Sequence, residues 1–563
     1  VEPDDPADAV ASALPAPSEL TTTPDARGAA RSRRAEIGRA AATITLWNSV
    51  SRVTGFVRVI AIAGALGIAT LGDAYQRANE VSNVLFELLA GGLLFAVLVP
   101  SFVQLLGDHD TRRARDLGSA LVGRGLAALS VVVVVGMAGS HWIMRVLTAG
   151  VNDPSRPQQI DLGAFLLVFI LPQLLLYAWG SVASAVLQAD HRFVATSIAP
   201  VFNNILVIAT MVAFAIVHDP SRGLSLTGGE KVLLGGGTLA GTLVMTAVPL
   251  FALRRCGLGI GVRWHAPDVD LRPLARQGLW GAGHIGLNEV LIGVTIILAG
   301  RVDGGVIAYQ TAFTFFLLPH ALLAHPIFTA LFPRLSRQSA PDQRAQFAGD
   351  LSLGLRTMLV LLLPAAGLMG AAAPAALSLV RLGQLDASGA RLVALVLAGY
   401  LVGLAGYSSY YLLTRASYAL GDVRRPTVVN AGVTSASIVG MVVATSLGHG
   451  VALLVSFGVI NAVAVTAGSV ALFLLIRHDL AVPVPVAASV GRALTGALIA
   501  TAAAVVVAVS IGWRGRLHAV AAGAAVAALG PVLYVGFLVV SGAPEIEVFR
   551  RRLPARLGGG RAA

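Results

Sequence analysis

Charge is the scarcest property of this chain. Only 12% of its 563 residues are charged and 56% are hydrophobic, whereas a soluble globular chain averages about 25% charged residues. The deficit excludes the roughly three or four soluble domains that such a length would otherwise suggest and places the chain in a lipid bilayer. Lysine is almost missing: Lys231 is the single lysine among 41 basic residues, a skew that reads as genome composition and carries no functional weight. Cysteine is reduced to Cys256, which excludes an intramolecular disulfide framework and any multi-cysteine zinc or iron–sulfur site. Also lacking are a phosphate-binding loop with its lysine, a metalloprotease helix motif and a nucleotide-binding domain. No enzyme and no cofactor are therefore expected, and transport driven by ATP within this chain is disfavoured.

What is present is a series of long apolar runs. Residues 1–39 are rich in Ala, Pro, Asp and Thr and end in Arg31, Arg33, Arg34 and Arg39; without an apolar core of signal-peptide length they read as a disordered cytoplasmic tail. From residue 40 about fourteen runs follow, most of them long enough for the roughly 20 residues a helix needs to cross the hydrocarbon core. Their centres lie near Val53, Leu89, Val134, Leu171, Val207, Leu243, Val290, Leu318, Leu361, Val402, Ile438, Ile460, Ala503 and Ala527. Runs this continuous favour helices over barrel strands, so the expected fold class is an all-α integral membrane protein.

Alternate connections carry Arg112, Arg113 and Arg115, then Arg192, then Arg254, Arg255 and Arg263, then Arg334 and Arg337, then Arg424 and Arg425. The opposite connections carry fewer, such as Arg156, Arg222, Lys231 and Arg301, usually beside an acid. The positive-inside rule then predicts a multi-pass protein of the cell membrane with both termini cytoplasmic. Because the formal charge of +12 is spread over these short loops and not gathered on one soluble face, no nucleic-acid partner is expected.

An internal echo points to two lobes. Leu187–Arg192 resembles Ala419–Arg424, with Asp190/Asp422 and Arg192/Arg424 each offset by 232 residues. A repeat joining the fourth to fifth and tenth to eleventh helices keeps one membrane orientation, a plan compatible with alternating access. The expected organisation is an N-lobe of six helices over residues 40–254, an amphipathic linker over 255–278, and a C-lobe of six helices over 279–478. Two further helices occupy 479–541, and a basic cytoplasmic tail follows over 542–563.

Ionisable groups inside membrane helices are costly enough to be functional candidates by default. In the first helix Arg52 and Arg58 lie six residues apart, about 120° around the axis; they either converge on a central cavity from a tilted or broken helix near Gly55 or snorkel to the interface. The second helix carries Arg77, Glu80, Asn83 and Glu87 at spacings of three, three and four, which read as one polar stripe. Arg77 and Glu80 are candidates to pair with one another, while Asp73 reads as the cap of this helix. In the seventh helix His284, Asn288 and Glu289 are placed to answer that stripe, and Pro319 with Pro326 predicts a kink in the eighth.

The stretch Trp47–Arg58, followed by Asp73-Ala74-Tyr75 and Phe95–Pro100, resembles the amino-terminal signature of the MurJ/MviN family of lipid II flippases. Three further stretches agree: Phe193–Asn204, Ala330–Arg337 and Ser417–Asp422 with Arg425-Pro426. The resemblance runs from about residue 40 to 541. It implies fourteen helices in two six-helix lobes plus two C-terminal helices, and an undecaprenyl-pyrophosphate-linked peptidoglycan precursor as cargo. The family's cationic cavity would receive the head and a groove beside the last two helices the polyprenyl tail. Arg52 and Arg58 match the family's two first-helix arginines. The sequence departs from the family at Val59, where the family has an acid, at Phe86-Glu87 in place of an Arg-Arg pair, at Ala90-Gly91-Gly92 in place of Ala-Glu-Gly, and at Tyr309-Gln310-Thr311-Ala312 in place of Tyr-Ala-Asp-Arg; the second and the last of these take arginines out of the cavity.

The resulting expectation is a flippase that carries lipid II from the cytoplasmic to the outer leaflet by alternating access, driven by an ion gradient or the membrane potential. Arg52, Arg58 and Asn83 are expected to meet the cargo; Arg77, Glu80, Glu87 and Glu289 are candidates for coupling to a proton, sodium or chloride ion or for building the cavity. No metal ligand set is expected. The alternatives are a paralogous exporter of another lipid-linked glycan, an antiporter of small amphipathic cations, and a scaffold that recruits cell-wall synthesis proteins.

Overall fold

The computed structural model describes residues 46–89, 102–103, 110–264, 272–381 and 383–544. The N-terminal tail, Ala90–Gly92, Phe95–Pro100, the middle of the linker and the C-terminal tail beyond 544 lie outside the described residues.

Every regular element among the described residues is helical. The first half contains α1 (Leu46–Leu66), α2 (Thr70–Leu89), α3 (Thr111–Ala138), the short α4 (Ser140–Leu147), α5 (Arg156–Ile170), α6 (Gln173–Ala189), α7 (Val194–Val217) and α8 (Gly228–Arg255). The second contains α9 (Arg272–Ala299), α10 (Gly305–Pro319), α11 (His325–Arg337), α12 (Arg344–Leu379), α13 (Ala387–Leu401), α14 (Leu404–Ala419), α15 (Arg424–Leu447) and α16 (Gly450–Leu480). Then come α17 (Ala487–Ile511) and α18 (Arg516–Val540).

Among the described residues eleven helices are long and apolar enough to cross a membrane, with α5–α6 and α10–α11 each counting once, and α13–α14 form a twelfth, bent by 49°. The two that complete fourteen are α2, whose charges lower its hydropathy, and α9, whose apolar part is Gly283–Ala299. The second helix is not centred on Leu89, which is its last residue; an apolar run passes over the charged stretch that is the true middle of this helix. The seventh begins at Arg272 rather than 279.

Large apolar side chains face outward where a soluble protein would not tolerate them. On α17, for example, Leu498, Val506 and Val509 are each more than 60% exposed, a lipid-facing surface. The opposite face of α17 is a stripe of buried Ala493, Ala497, Ala500, Ala504 and Ala508. Such small residues let helix backbones approach closely in lipid. A Cβ added to Gly367 of α12 would sit 1.8 Å from Thr501 Oγ1, so α17 rests on α12 through that seam.

Successive spans alternate in direction, so connections fall on two faces. The face at which α1 begins is called the near face here and the other the far face. On the far face the α1–α2 turn is locked to the second half of the chain by backbone. Gly64 O accepts from Gln384 N at 2.8 Å. A Cβ on Gly383 (φ +58°) would lie 2.3 Å from Gly64 O, and one on Gly304 (φ +67°) 2.3 Å from Ile68 O. Beside them Asp386 caps α13, accepting from Gly389 N; the Ser388 hydroxyl and the backbone amides hold its carboxyl below the usual carboxylate range.

Asp73 also acts across the lobes. Its Oδ1 accepts from Ile307 N at 2.9 Å, in the first turn of α10, so it caps α10 and not its own helix; α2 has already begun at Thr70. Its other oxygen lies 3.6 Å from Arg77 Nη2, both side chains being buried. Arg77 turns toward α5, donating to Gln159 Oε1 at 2.5 Å, which is why it does not pair with Glu80.

The echo between the halves is structural but two residues out of register. Each chain turn ends in a left-handed residue, His191 (φ 57°) and Gly421 (φ 82°), followed by a bond from Arg192 N to Leu187 O and from Asp422 N to Ser417 O. This is the same helix-ending motif, and the equivalent positions are 230 apart. On the near face, residues 257–264 run along α3: Arg115 donates to Gly257 O at 2.5 Å, Gly261 N to Ser119 Oγ at 3.2 Å, and Arg263 pairs with Asp116.

Asp73→Ala strands the Arg77 charge and removes the α10 cap. Breaking a buried pair typically costs about 3–5 kcal/mol, so detergent-solubilised protein is expected to unfold at markedly lower denaturant. Asp73→Asn, which keeps an acceptor for Ile307 N, should lose clearly less; equal losses would show that the cap contributes nothing.

Candidate functional site: a polar cavity between the lobes

Polar residues recur at i, i+4 on four helices, three of them otherwise apolar, and each such pair lines one helix face. They are Tyr75, Asn79 and Asn83 on α2, Gln173 and Tyr177 on α6, Thr238 and Thr242 on α8, and Gln310 and Thr314 on α10. Together with Arg58, Glu80 and Tyr309 they surround a cavity of about 220 Å³. Lipid offers no hydrogen bonds, so these faces can only point inward.

The walls are mostly self-satisfied. Thr238 Oγ1 donates to Leu234 O at 2.8 Å, so the 2.9 Å contact with Tyr75 has the tyrosine hydroxyl as donor. Gln173 Oε1 accepts from Thr242 at 3.0 Å and from Tyr177 at 3.4 Å. Glu80 Oε2 accepts from Asn83 Nδ2 at 3.1 Å and from Gln310 Nε2 at 2.8 Å, which ties α2 to α10. Among the residues that line the cavity, two buried donors have no protein acceptor: Arg58 Nε and Gln173 Nε2. The wall thus offers unused donors to a negatively charged or carbonyl-bearing guest.

The structure sorts the sequence-predicted residues into different places. Arg58, Glu80 and Asn83 line the cavity. Arg77 does not; it is sealed at the far end of α2, so the expected single stripe is split between two environments. Glu87 is exposed and off the cavity wall. Glu289 is 9% exposed and lies within the electrostatic reach of Glu80 and Glu87. Asn288 and His284 turn the other way, toward α15, where Asn430 Nδ2 donates to Asn288 Oδ1 at 3.3 Å and to His284 O at 3.2 Å.

Arg52 and Arg58 do not converge. Between their levels on α1, Phe56 meets Phe315 of α10 edge-on, with centroids 4.7 Å apart. Arg58 lies on the cavity side of that pair. Arg52 is exposed on the near-face side, where its field reaches His320 and His325. The kink expected at Pro319 and Pro326 is a π-helical turn, His320–Ala324, since neither proline supplies an N–H to the regular ladder.

Sequence reading by charge alone missed the neutral members, chiefly Gln310, Gln173, Tyr75 and Thr238. The i, i+4 repetition of polar side chains in apolar helices was the available signal. Among the described residues no group of His, Cys, Asp and Glu is arranged to hold a metal ion.

The comparisons with known proteins agree with this architecture. The family model described as lipid II flippase MurJ matches residues 62–521. The lipid II flippase MurJ of Burkholderia cenocepacia is 28% identical over 405 residues, covering 70% of this chain and 76% of that protein. The probable lipid II flippase MurJ of Vibrio cholerae is 25% identical over 390 residues, 67% of this chain and 71% of its own. A solved lipid II flippase MurJ in an inward closed conformation superposes with a TM-score of 0.71 at 15% identity, covering 88% of this chain and 98% of that one. An inward-facing multidrug transporter of the MATE family gives a TM-score of 0.61 at 13% identity, over 77% of this chain and 94% of its own. With most of its length matched by that family model, the chain belongs to the MurJ family.

Proposed function

We propose that this protein is a transporter that moves lipid II, a polyprenyl-diphosphate-linked peptidoglycan precursor, from the cytoplasmic to the outer leaflet of the cell membrane. Membership of the MurJ family carries the reading; an interlobe cavity with Arg58 on its wall supports it. The near face is cytoplasmic on this reading, because it bears the arginine-rich connections.

The geometry suits alternating access. A volume of about 220 Å³ falls below the roughly 300–1,000 Å³ of ordinary small-molecule sites, so a glycopeptide headgroup enters only when the lobes part. They part more readily on the near face. The far face is held backbone against backbone, while the contact that closes the cavity on its near-face side, Phe56–Phe315, is between side chains.

The tail has a separate place. An apolar groove of about 1,070 Å³ runs beside the start of α17, walled by Leu359, Leu363, Leu413 and Phe473 with Arg356, Arg477 and Arg492 along it. A polyprenyl chain would lie there with its diphosphate close to guanidinium groups. Coupling to an ion gradient or to the membrane potential falls to the carboxylates, Glu80 and Glu289 foremost, and cell-wall synthesis proteins are the partners expected to accept the cargo. The same carboxylates favour a second reading, export of small amphipathic cations.

Expression in cells depleted of their own lipid II flippase should restore growth and outward exposure of lipid II. Normal membrane insertion without restoration, together with lowered accumulation of cationic dyes, would select the second reading.

Arg58→Gln is expected to lower lipid II exposure at least about tenfold, the scale of one charge-assisted hydrogen bond. Its melting temperature should hardly change, since Arg58 Nε has no protein acceptor. Full transport by well-folded R58Q would remove Arg58 from the headgroup site.

A further inference from the structure

Of the two cavity-wall donors that the protein leaves without an acceptor, one is neutral. Gln173 follows Pro172, which has no N–H to give to the helical ladder, and the span Arg156–Ala189 breaks there into α5 and α6. The side chain therefore opens α6 in the middle of a membrane-crossing segment, where lipid cannot answer an amide, and it is 2% exposed. Its Oε1 accepts from Thr242 Oγ1 at 3.0 Å and from Tyr177 at 3.4 Å. Two hydroxyl donors on one oxygen fix which way the amide points, and Nε2 is left with no acceptor among the described residues.

The hydroxyl of Tyr177, one turn along α6, has given its proton to that carbonyl and keeps lone pairs that can accept. Across from it, Tyr75 and Thr238 have likewise directed their protons into the wall. Side by side on one helix face thus stand an N–H donor with nothing to bond and a hydroxyl oxygen that can still accept. A phosphate offers acceptors only and leaves that oxygen unused. A secondary amide offers one group of each kind. The bonded groups at this spot are neutral, and the charge of Arg58 reaches Tyr177 from beside them. A buried donor left unmade is costly, so such a wall discriminates against a guest that brings no acceptor to it.

We propose that Gln173 is a specificity-determining residue that reads an acetamido group on the first sugar of the cargo: Nε2 donates to the acetamido carbonyl and the Tyr177 oxygen accepts from its N–H. The inference rests on the lipid-flippase reading above, and it names the part of the headgroup that this wall selects. In lipid II the sugar joined to the diphosphate carries such a group on the carbon next to the linkage, which sets it beside whatever Arg58 holds.

The test is equilibrium binding by the full chain in nanodiscs of neutral lipid, with undecaprenyl diphosphate carrying either N-acetylglucosamine or glucose as the two probes. They differ only in an acetamido group or a hydroxyl beside the diphosphate linkage. Wild-type protein should bind the acetamido lipid about tenfold tighter, the scale of one net hydrogen bond. In Q173M, which has no donor, the ratio of the two affinities should fall to about one, and in Y177F, which keeps the donor and loses the acceptor, to about threefold. R58Q should weaken both lipids and keep the ratio. A merely structural role for Gln173 would lower both affinities together and leave their ratio unmoved. A wild-type ratio in Q173M overturns the inference, as does one in Y177F if Q173M fails to insert, and so does a wild type indifferent to the acetamido group. A Gln173-dependent preference for the glucose lipid overturns the acetamido assignment in favour of a hydroxyl. Lipid II exposure in flippase-depleted cells separates the two levels. Restoration by wild type with the ratio unmoved in Q173M sinks the role of Gln173 and leaves the transport reading standing. A Gln173-dependent preference for the acetamido lipid without restoration by wild type keeps that role and sinks lipid II as the cargo.

Discussion

A guanidinium group with no solvent contact has to be answered inside the protein, and the arrangement that answers Arg77 organises the whole far end of the molecule. Asp73, one turn earlier, supplies the counter-charge, and Gln159 supplies a neutral acceptor from α5. With one oxygen facing Arg77, Asp73 has the other free to cap α10 across the lobe boundary. Space for this is made by glycine: a Cβ on Gly300 would come within 2.7 Å of Arg77 Nη2. The hydrogen bond from Ile307 N to Asp73 thus holds the first half of the chain to the helix that carries Tyr309, Gln310 and Phe315. Every polar contact lower down on α2, including Glu80 with Gln310, inherits its register from that point.

Below the lock, the Phe56–Phe315 contact separates Arg58, on the cavity wall with Glu80 and neutral amides, from the exposed Arg52 one turn and a half nearer the start of α1. An edge-on aromatic pair is worth only about 0.5–1.5 kcal/mol beyond its area, far less than the backbone bonds and buried ion pair of the far face. Such a contact is weak enough to open, whereas the far face is held by backbone hydrogen bonding and close approach.

The fourteen-helix fold was legible because apolar runs of bilayer length have few alternatives, and most of the expected span centres fall inside the observed helices. Where the expectation slipped, at Leu89, hydropathy favoured the apolar end of a helix whose functional middle is charged. The site was legible in part. Arg58, Glu80 and Asn83 line the cavity, but helical spacing alone could not reveal that Arg77 faces α5, since a helix of known phase still has an unknown neighbour. Nor could it show that Asp73 serves α10, 234 positions away in the chain.

The two C-terminal helices follow a different logic from the lobes. Their buried faces are alanine and glycine stripes that fit closely onto α12, with Tyr534 donating to Val360 O at 2.7 Å as the polar anchor. Close packing of this kind makes α17 and α18 a rigid extension of the second lobe. The apolar groove therefore has one wall from that extension and the rest from α12, α14 and α16, all on the same side of the lobe boundary. A guest held there moves with one lobe and is not squeezed when the lobes rock. A headgroup in the interlobe cavity experiences the opposite, because its walls come from both lobes and must separate to admit it. On the proposed reading, division of one amphipathic cargo between a groove of fixed shape and a cavity of changing shape would let the head change sides while the tail stays in an apolar environment throughout, so that no polyprenyl chain need be exposed to water and the charged wall of the cavity would be the place where direction is decided.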